Sequence, residues 1–107
     1  MKSLLAAICS VFLLATTAVS ANEQFPVNNV KIIVPFPAGG TTDILARFVA
    51  QYLGEKLGVT TIVENRPGAA GIIGSEVVAK SPADGSVLLL TATHHVINPS
   101  LYKQLPF

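Results

Sequence analysis

Two carboxylates, two adjacent histidines and two glycine-bearing elbows are the residues of this chain whose chemistry can be put to use. Asp43 and Glu64 would make an acid–base pair if their environments held one protonated and one ionised. Asp43, however, stands where a helix start wants a cap, and Glu64-Asn65-Arg66 reads as a polar cluster at the end of a strand. His94-His95 are metal-ligand types, but adjacent side chains point different ways and no cysteine completes a ligand set. They read as a metal-free pair in a loop or at a strand end. No Ser-His-Asp order or Cys-His pair forms a nucleophile. No catalytic residue, metal or cofactor is therefore expected.

The elbow Pro35-Phe36-Pro37-Ala38-Gly39-Gly40-Thr41-Thr42-Asp43 carries more. Gly39 and Gly40 let the backbone turn sharply and leave no Cβ against a close ligand. Thr41, Thr42 or Asp43 can cap the helix that follows. The free N–H groups and the dipole at a helix start attract a negative group. A P-loop would close on Gly-Lys-Ser/Thr, and no lysine lies between Lys31 and Lys56. A dinucleotide fingerprint would need G-x-G-x-x-G, which Gly39-Gly40 does not supply. Backbone and hydroxyl donors with no cation nearby suit a carboxylate better than a triphosphate. The plainer reading is that the glycines only make a tight turn between strand and helix.

The flanking elements decide between the two. Val30–Val34 is a short β-branched run, hence a strand. Ile44, Leu45, Phe48, Val49, Tyr52, Leu53 and Leu57 recur at helical spacing, which puts Phe48 and Tyr52 in the core, with Gly58 as the C-cap. Val59–Val63 is a second strand, and Asn65-Arg66-Pro67-Gly68-Ala69-Ala70-Gly71 a second elbow leading into a helix over 72–80. Ala83-Asp84-Gly85 turns into Val87–Thr91, apolar enough for a strand covered on both faces. Asn98-Pro99 fits a helix start, with Asn98 as cap. The order βαβαβα means α/β with a parallel sheet, whose ligands bind beyond the carboxyl ends of the strands. Both elbows and the Thr-rich loop 91–98 fall at that edge. Their convergence favours a binding site.

The N-terminus bears on location. Lys2, the apolar run 4–15 and the small residues Ala18-Val19-Ser20-Ala21 follow the pattern of a cleavable signal peptide over residues 1–21. Without it the only cysteine, Cys9, is lost, and six basic residues (Lys31, Arg47, Lys56, Arg66, Lys80, Lys103) face six acidic ones. A charge near zero gives no reason to expect nucleic acid or an anionic membrane as partner. About 86 residues remain, enough for one small domain at most.

The ordered run Lys31–Asp43, Ala46-Arg47, Val63–Ala69, Ala83-Asp84-Gly85, Asn98–Tyr102 and Leu105-Pro106-Phe107 resembles the start of a Bug-family solute receptor. Such receptors are the extracytoplasmic binding components of tripartite tricarboxylate transporters. The resemblance covers essentially the whole mature chain. It implies a periplasmic protein, not an enzyme, that takes small carboxylates such as citrate, dicarboxylates or acidic amino acids and hands them to membrane transporter subunits. It implies two α/β domains around a cleft, with residues 22–107 forming part of the first. By the same resemblance Phe36, Ala38, Gly39, Gly40, Thr42 and Asp43 belong to the ligand site, with Gly68 and Ala69 from the second elbow. Thr91, after the third strand, is a weaker candidate. The chain departs from the pattern at Ser86, where an aromatic is common, and at Ala70, where a second glycine is common.

Family receptors are considerably longer, so the chain reads as an N-terminal fragment, truncated before a second domain. The alternative is the first part of an exported α/β enzyme acting on a carboxylate.

Overall fold

The computed structural model describes residues 27–107, so the signal peptide expected over residues 1–21 lies outside the described residues. Strand β1 (Asn29–Val34) leads through the first elbow into helix α1 (Thr41–Leu57), followed by β2 (Thr60–Asn65). A 3-10 turn at Ala69–Gly71 precedes α2 (Ile72–Ala79), then β3 (Val87–Leu89) and α3 (His94–Leu101). The three strands form a parallel sheet in the order β2-β1-β3. This is the expected α/β start of a parallel sheet.

The central position falls to β1. Val30, Ile32, Ile33 and Val34 are all buried, as a strand covered on both faces requires. The expectation that Val87–Thr91 is that strand is corrected: only Val87–Leu89 pairs, it pairs with β1 alone, and Leu88 is partly exposed. Its apolar run matches a covered strand in composition, but its place in the order makes it an edge among the described residues.

Helix α1 corrects a second expectation. Ala46 is fully buried and Val49, Ala50 and Leu53 pack with it over Ile32 and Val34. Phe48 is 71% exposed, and Tyr52, Ile44 and Leu45 also face outward. The apolar residues of α1 span more than one face, and the small side chains of Ala46 and Ala50 let that side approach the sheet most closely. Gly58 closes the helix as expected, in the left-handed conformation with its N–H on the Gly54 carbonyl.

The third helix begins earlier than Asn98-Pro99 proposes. It opens at His94 and carries Pro99 inside, so the histidine pair is helical rather than in a loop or strand end, and Asn98 is buried rather than capping. The Val96 N–H takes the Thr93 carbonyl, which starts the helix without a side-chain cap.

Candidate functional site

All three strands end at one level. The Arg66 N–H donates to the Val34 carbonyl at 2.8 Å and the Leu90 N–H to the Ile33 carbonyl at 3.0 Å, so the ladder carries each loop out at the same edge. Three loops therefore share one rim.

In the first elbow the glycines have different duties. Gly39 adopts φ +85°, a conformation that a side chain resists, whereas Gly40 sits at φ −76° and is itself the N-cap of α1. A Cβ on Gly40 would meet only the Pro37 carbonyl oxygen, at 3.5 Å. The expected side-chain cap is absent: neither threonine nor Asp43 caps the first turn. The N–H groups of Thr41, Thr42 and Asp43 lie ahead of the first intrahelical bond and find no acceptor among the described residues.

Asp43 turns inward instead. It is only 2% exposed, and its Oδ2 accepts from the Gly39 N–H at 2.9 Å and from Arg47 Nε at 3.0 Å. Its Oδ1 accepts from Asn65 Nδ2 at 3.0 Å. The same amide nitrogen donates to the Phe36 carbonyl at 3.1 Å, which ties the end of β2 to the first elbow. The Gly39 amide, then the Arg47 and Asn65 side chains, hold the carboxyl down to about 2 from an ordinary 3.8. The expectation of no nearby cation is thus corrected. Arg47, one turn along α1, reaches the elbow, but Asp43 neutralises it. Glu64 is turned to Lys31 at 2.9 Å and to Arg66, which hold its carboxyl below the usual range, so it does not pair with Asp43.

The second elbow is built from left-handed backbone. Gly68, Ala69, Ala70 and Gly71 have φ of +132°, +47°, +52° and +84° in succession. Two of the four are alanines, each costing roughly 1–2 kcal/mol in that region. The Gly71 N–H closes on the Gly68 carbonyl at 3.0 Å, while those of Gly68, Ala69 and Ala70 find no acceptor among the described residues. The carbonyls behind are occupied: Asn98 Nδ2 donates to Ala70 O and Ser75 Oγ to Gly71 O, both at 3.0 Å.

The candidate residues sort as follows. Phe36 is half-buried, its ring 5.5 Å from that of His94. Its Cζ lies 3.9 Å from where a Gly71 Cβ would stand, so this side chain spans from the first elbow to the second and to α3. Ala38, Gly39, Gly40, Gly68 and Ala69 are exposed on the rim, Thr42 is half-covered and Asp43 is beneath it. Thr91 is half-buried just past the β3 ladder. Sequence reasoning missed Asn65, Ser75 and Asn98 as supports, and Gly74 as a packing contact. A Cβ on Gly74 would lie 2.7 Å from Pro35 Cβ and 3.1 Å from the Arg66 carbonyl oxygen, so α2 sits directly on both elbow stems. The Asp43–Arg47 spacing of one helical turn was a legible signal. Ser75 likewise stands one helical turn past Gly71, whose carbonyl it bonds, whereas nothing local marks Asn65, Asn98 or Gly74 in these roles.

Residues 45–107 match the family described as "Tripartite tricarboxylate transporter family receptor". The chain belongs to that family. It is 39% identical over 108 residues to Protein BugT of Bordetella pertussis, an alignment that takes in 96% of this chain and 33% of that protein. A protein of Pseudomonas sp. strain P51, encoded between tcbD and tcbE, is 35% identical over 106 residues, covering 99% of this chain and 32% of its own. The family chain thus spans about a third of the length of the curated relatives it matches. Among solved structures it is similar to the periplasmic binding protein BugD, with TM-score 0.57 and 45% identity over 61% of this chain and 22% of that one. R. palustris Rpa4515 with adipate gives TM-score 0.58 and 45% identity at the same coverage. MatC (Rpa3494) from Rhodopseudomonas palustris with bound malate gives 0.57 and 38%, again at that coverage. With the three-stranded parallel sheet, these similarities establish the α/β fold expected for the start of a periplasmic-binding-protein-like domain.

Proposed function

We propose that this chain supplies one wall of the ligand site in an extracytoplasmic receptor that captures a small carboxylate for a tripartite tricarboxylate transporter. The observation that carries it is the rim itself, where two elbows carry free backbone N–H groups and Asn65, at the end of β2 just before the second elbow, bonds the first. Such donors suit a carboxylate, whose oxygens accept several short, charge-assisted hydrogen bonds. The adipate and malate bound by Rpa4515 and MatC are dicarboxylates, which supports that class of ligand.

On this reading Thr42, Gly40 and Ala69 face the ligand, with Phe36 and Thr91 bordering it, while Asp43 holds the loop from below through the Gly39 N–H. The rim is open among the described residues, whereas good sites bury most of a ligand's surface. We therefore assign the opposite wall to a second domain in a receptor of full family length. Residues 1–21 act as the signal peptide, the mature protein works in the periplasm, and membrane subunits of the transporter receive the ligand. The role is capture, not catalysis.

The test joins this sequence to the remaining two thirds of the BugT-type relative and measures malate, adipate, citrate and glutamate by calorimetry. Binding of at least one, without its conversion, is expected. A folded chimera that binds none would overturn the reading, and turnover of a carboxylate would favour the exported enzyme. For export, N-terminal sequencing of periplasmic protein should find a start at Ala21 or Asn22. Uncleaved protein held in the membrane would contradict it.

A further inference from the structure

We infer that Asn98 of α3, with Ser75 of α2, is a positioning residue for the second elbow: it holds Gly68–Gly71 in the left-handed run that presents the elbow's N–H groups to the ligand. The inference rests on the receptor reading and deepens it. Four consecutive positive φ values, two at alanines, are not a conformation the segment keeps by preference. The hold comes from outside the segment. Asn98 is 2% exposed, and its Nδ2 lies 3.0 Å from the carbonyl oxygen of Ala70, the alanine at φ +52°. Ser75, also buried, takes the next carbonyl, that of Gly71, and its Oγ lies 3.2 Å from His95 Nδ1 on the same helix as Asn98. With Ser75 donating to Gly71 O, His95 donates to Ser75. Consecutive carbonyls of the elbow are thus gripped from behind by α3 and α2.

A carbonyl lies in one peptide plane with the N–H of the next residue, so Asn98 and Ser75 fix the planes that carry the Gly71 and Ile72 N–H groups. Those N–H groups donate to the Gly68 and Ala69 carbonyls, whose planes in turn carry the free N–H groups of Ala69 and Ala70. A ligand that needs the left-handed form binds more weakly in proportion to the fraction of molecules that lack it. Asn98 acts through Ala70 and touches no ligand.

The experiment uses the full-length chimera and whichever of malate, adipate, citrate and glutamate the parent binds. Asn98→Ala should raise Kd about tenfold, the loss expected of one buried hydrogen bond setting the population. Asn98→Asp, the same shape without the amide donor, should do likewise and serves if the alanine variant does not fold. Adding Ala70→Gly should recover most of the lost affinity relative to Ala70→Gly alone, because glycine enters the left-handed region unaided. A purely structural role for Asn98 would lower the melting temperature and give no such rescue. Parent-like affinity in a folded Asn98 variant, or no rescue by Ala70→Gly, would overturn the inference and leave the receptor reading standing. A folded parent that binds none of malate, adipate, citrate and glutamate would overturn both.

Discussion

The two elbows meet the same rim by opposite means. The first concentrates its unusual backbone in one glycine, Gly39, and secures it with a buried carboxylate that takes three donors. The second spreads left-handed backbone over four residues, places alanine at two of them, and relies on neutral hydrogen bonds from neighbouring helices. The first is held by charge, and its one positive φ falls on a glycine, where it costs little. The second is held by neutral hydrogen bonds and is strained. Two elbows secured so differently should respond to different perturbations, and that difference can be measured.

Gly74→Ala should have the largest effect and strike both elbows at once. Its Cβ would fall 2.7 Å from Pro35 Cβ, 3.0 Å from Pro35 Cα and 3.1 Å from the Arg66 carbonyl oxygen. Backbone must shift to admit it, which costs roughly 1–3 kcal/mol even after the helix gains an alanine. Denaturant unfolding of the chimera checks the loss. A neutral or stabilised variant would mean that α2 does not pin the two stems together.

Acid should separate the elbows. Asp43 has a folded pKa of about 2 against an ordinary 3.8, so the carboxylate's contribution is fully present above the unfolded value. It is lost as pH falls through about 2. The amide of Gly39 should therefore exchange slowly down to about pH 4 and lose protection toward pH 2, in native-state hydrogen exchange. The Gly71 amide, inside the neutral network, should not follow that titration. Asp43→Asn should remove the step from the first elbow. A common acid transition at both glycines would end the distinction between a charged and a neutral clamp.

How much of this was legible beforehand depends on distance along the chain. The β1–elbow–α1 unit, the second elbow and the parallel order follow from local patterns: β-branched runs, glycines at turns, a helical apolar repeat. The outward face of α1 was misread because periodicity says which residues share a side, not which side the sheet takes. Ala46 and Ala50 decide that by size. Asn98 looked like a cap because Asn-Pro so often opens a helix, and its actual bond reaches Ala70, 28 positions away. Asn65 likewise serves Phe36 and Asp43, 29 and 22 positions away. Supports of that kind leave no trace in local spacing. Ala70 stands where the resemblance makes glycine common, and its φ of +52° gives the physical reason for that glycine, which was not read from the sequence.

Gly39→Ala and Ala70→Gly form a mirrored pair that sharpens the comparison. At Gly39 a Cβ would meet nothing within 4 Å, so an alanine there carries only the conformational cost of φ +85°. The expected loss is about 1–2 kcal/mol. Urea unfolding should show it. A loss well above that range would mean that the space over Gly39 is filled by something the described residues do not include.

Ala70→Gly runs the other way and is the smallest effect. Removing the methyl releases an alanine from a region that costs it roughly 1–2 kcal/mol. Against that, the unfolded chain gains the freedom of a glycine, which returns roughly 0.5–1 kcal/mol. The net is a stabilisation of roughly 0–1.5 kcal/mol, read as a small rise in the unfolding midpoint at unchanged slope. Because Asn98 binds the carbonyl of residue 70 and not its side chain, the substitution leaves that hydrogen bond in place. The sign is therefore the informative part. A stabilised variant identifies strain as the feature that sets the second elbow apart. A destabilised one would mean that the alanine methyl is packed, and that the second elbow, like the first, is secured by its contacts rather than held against its preference.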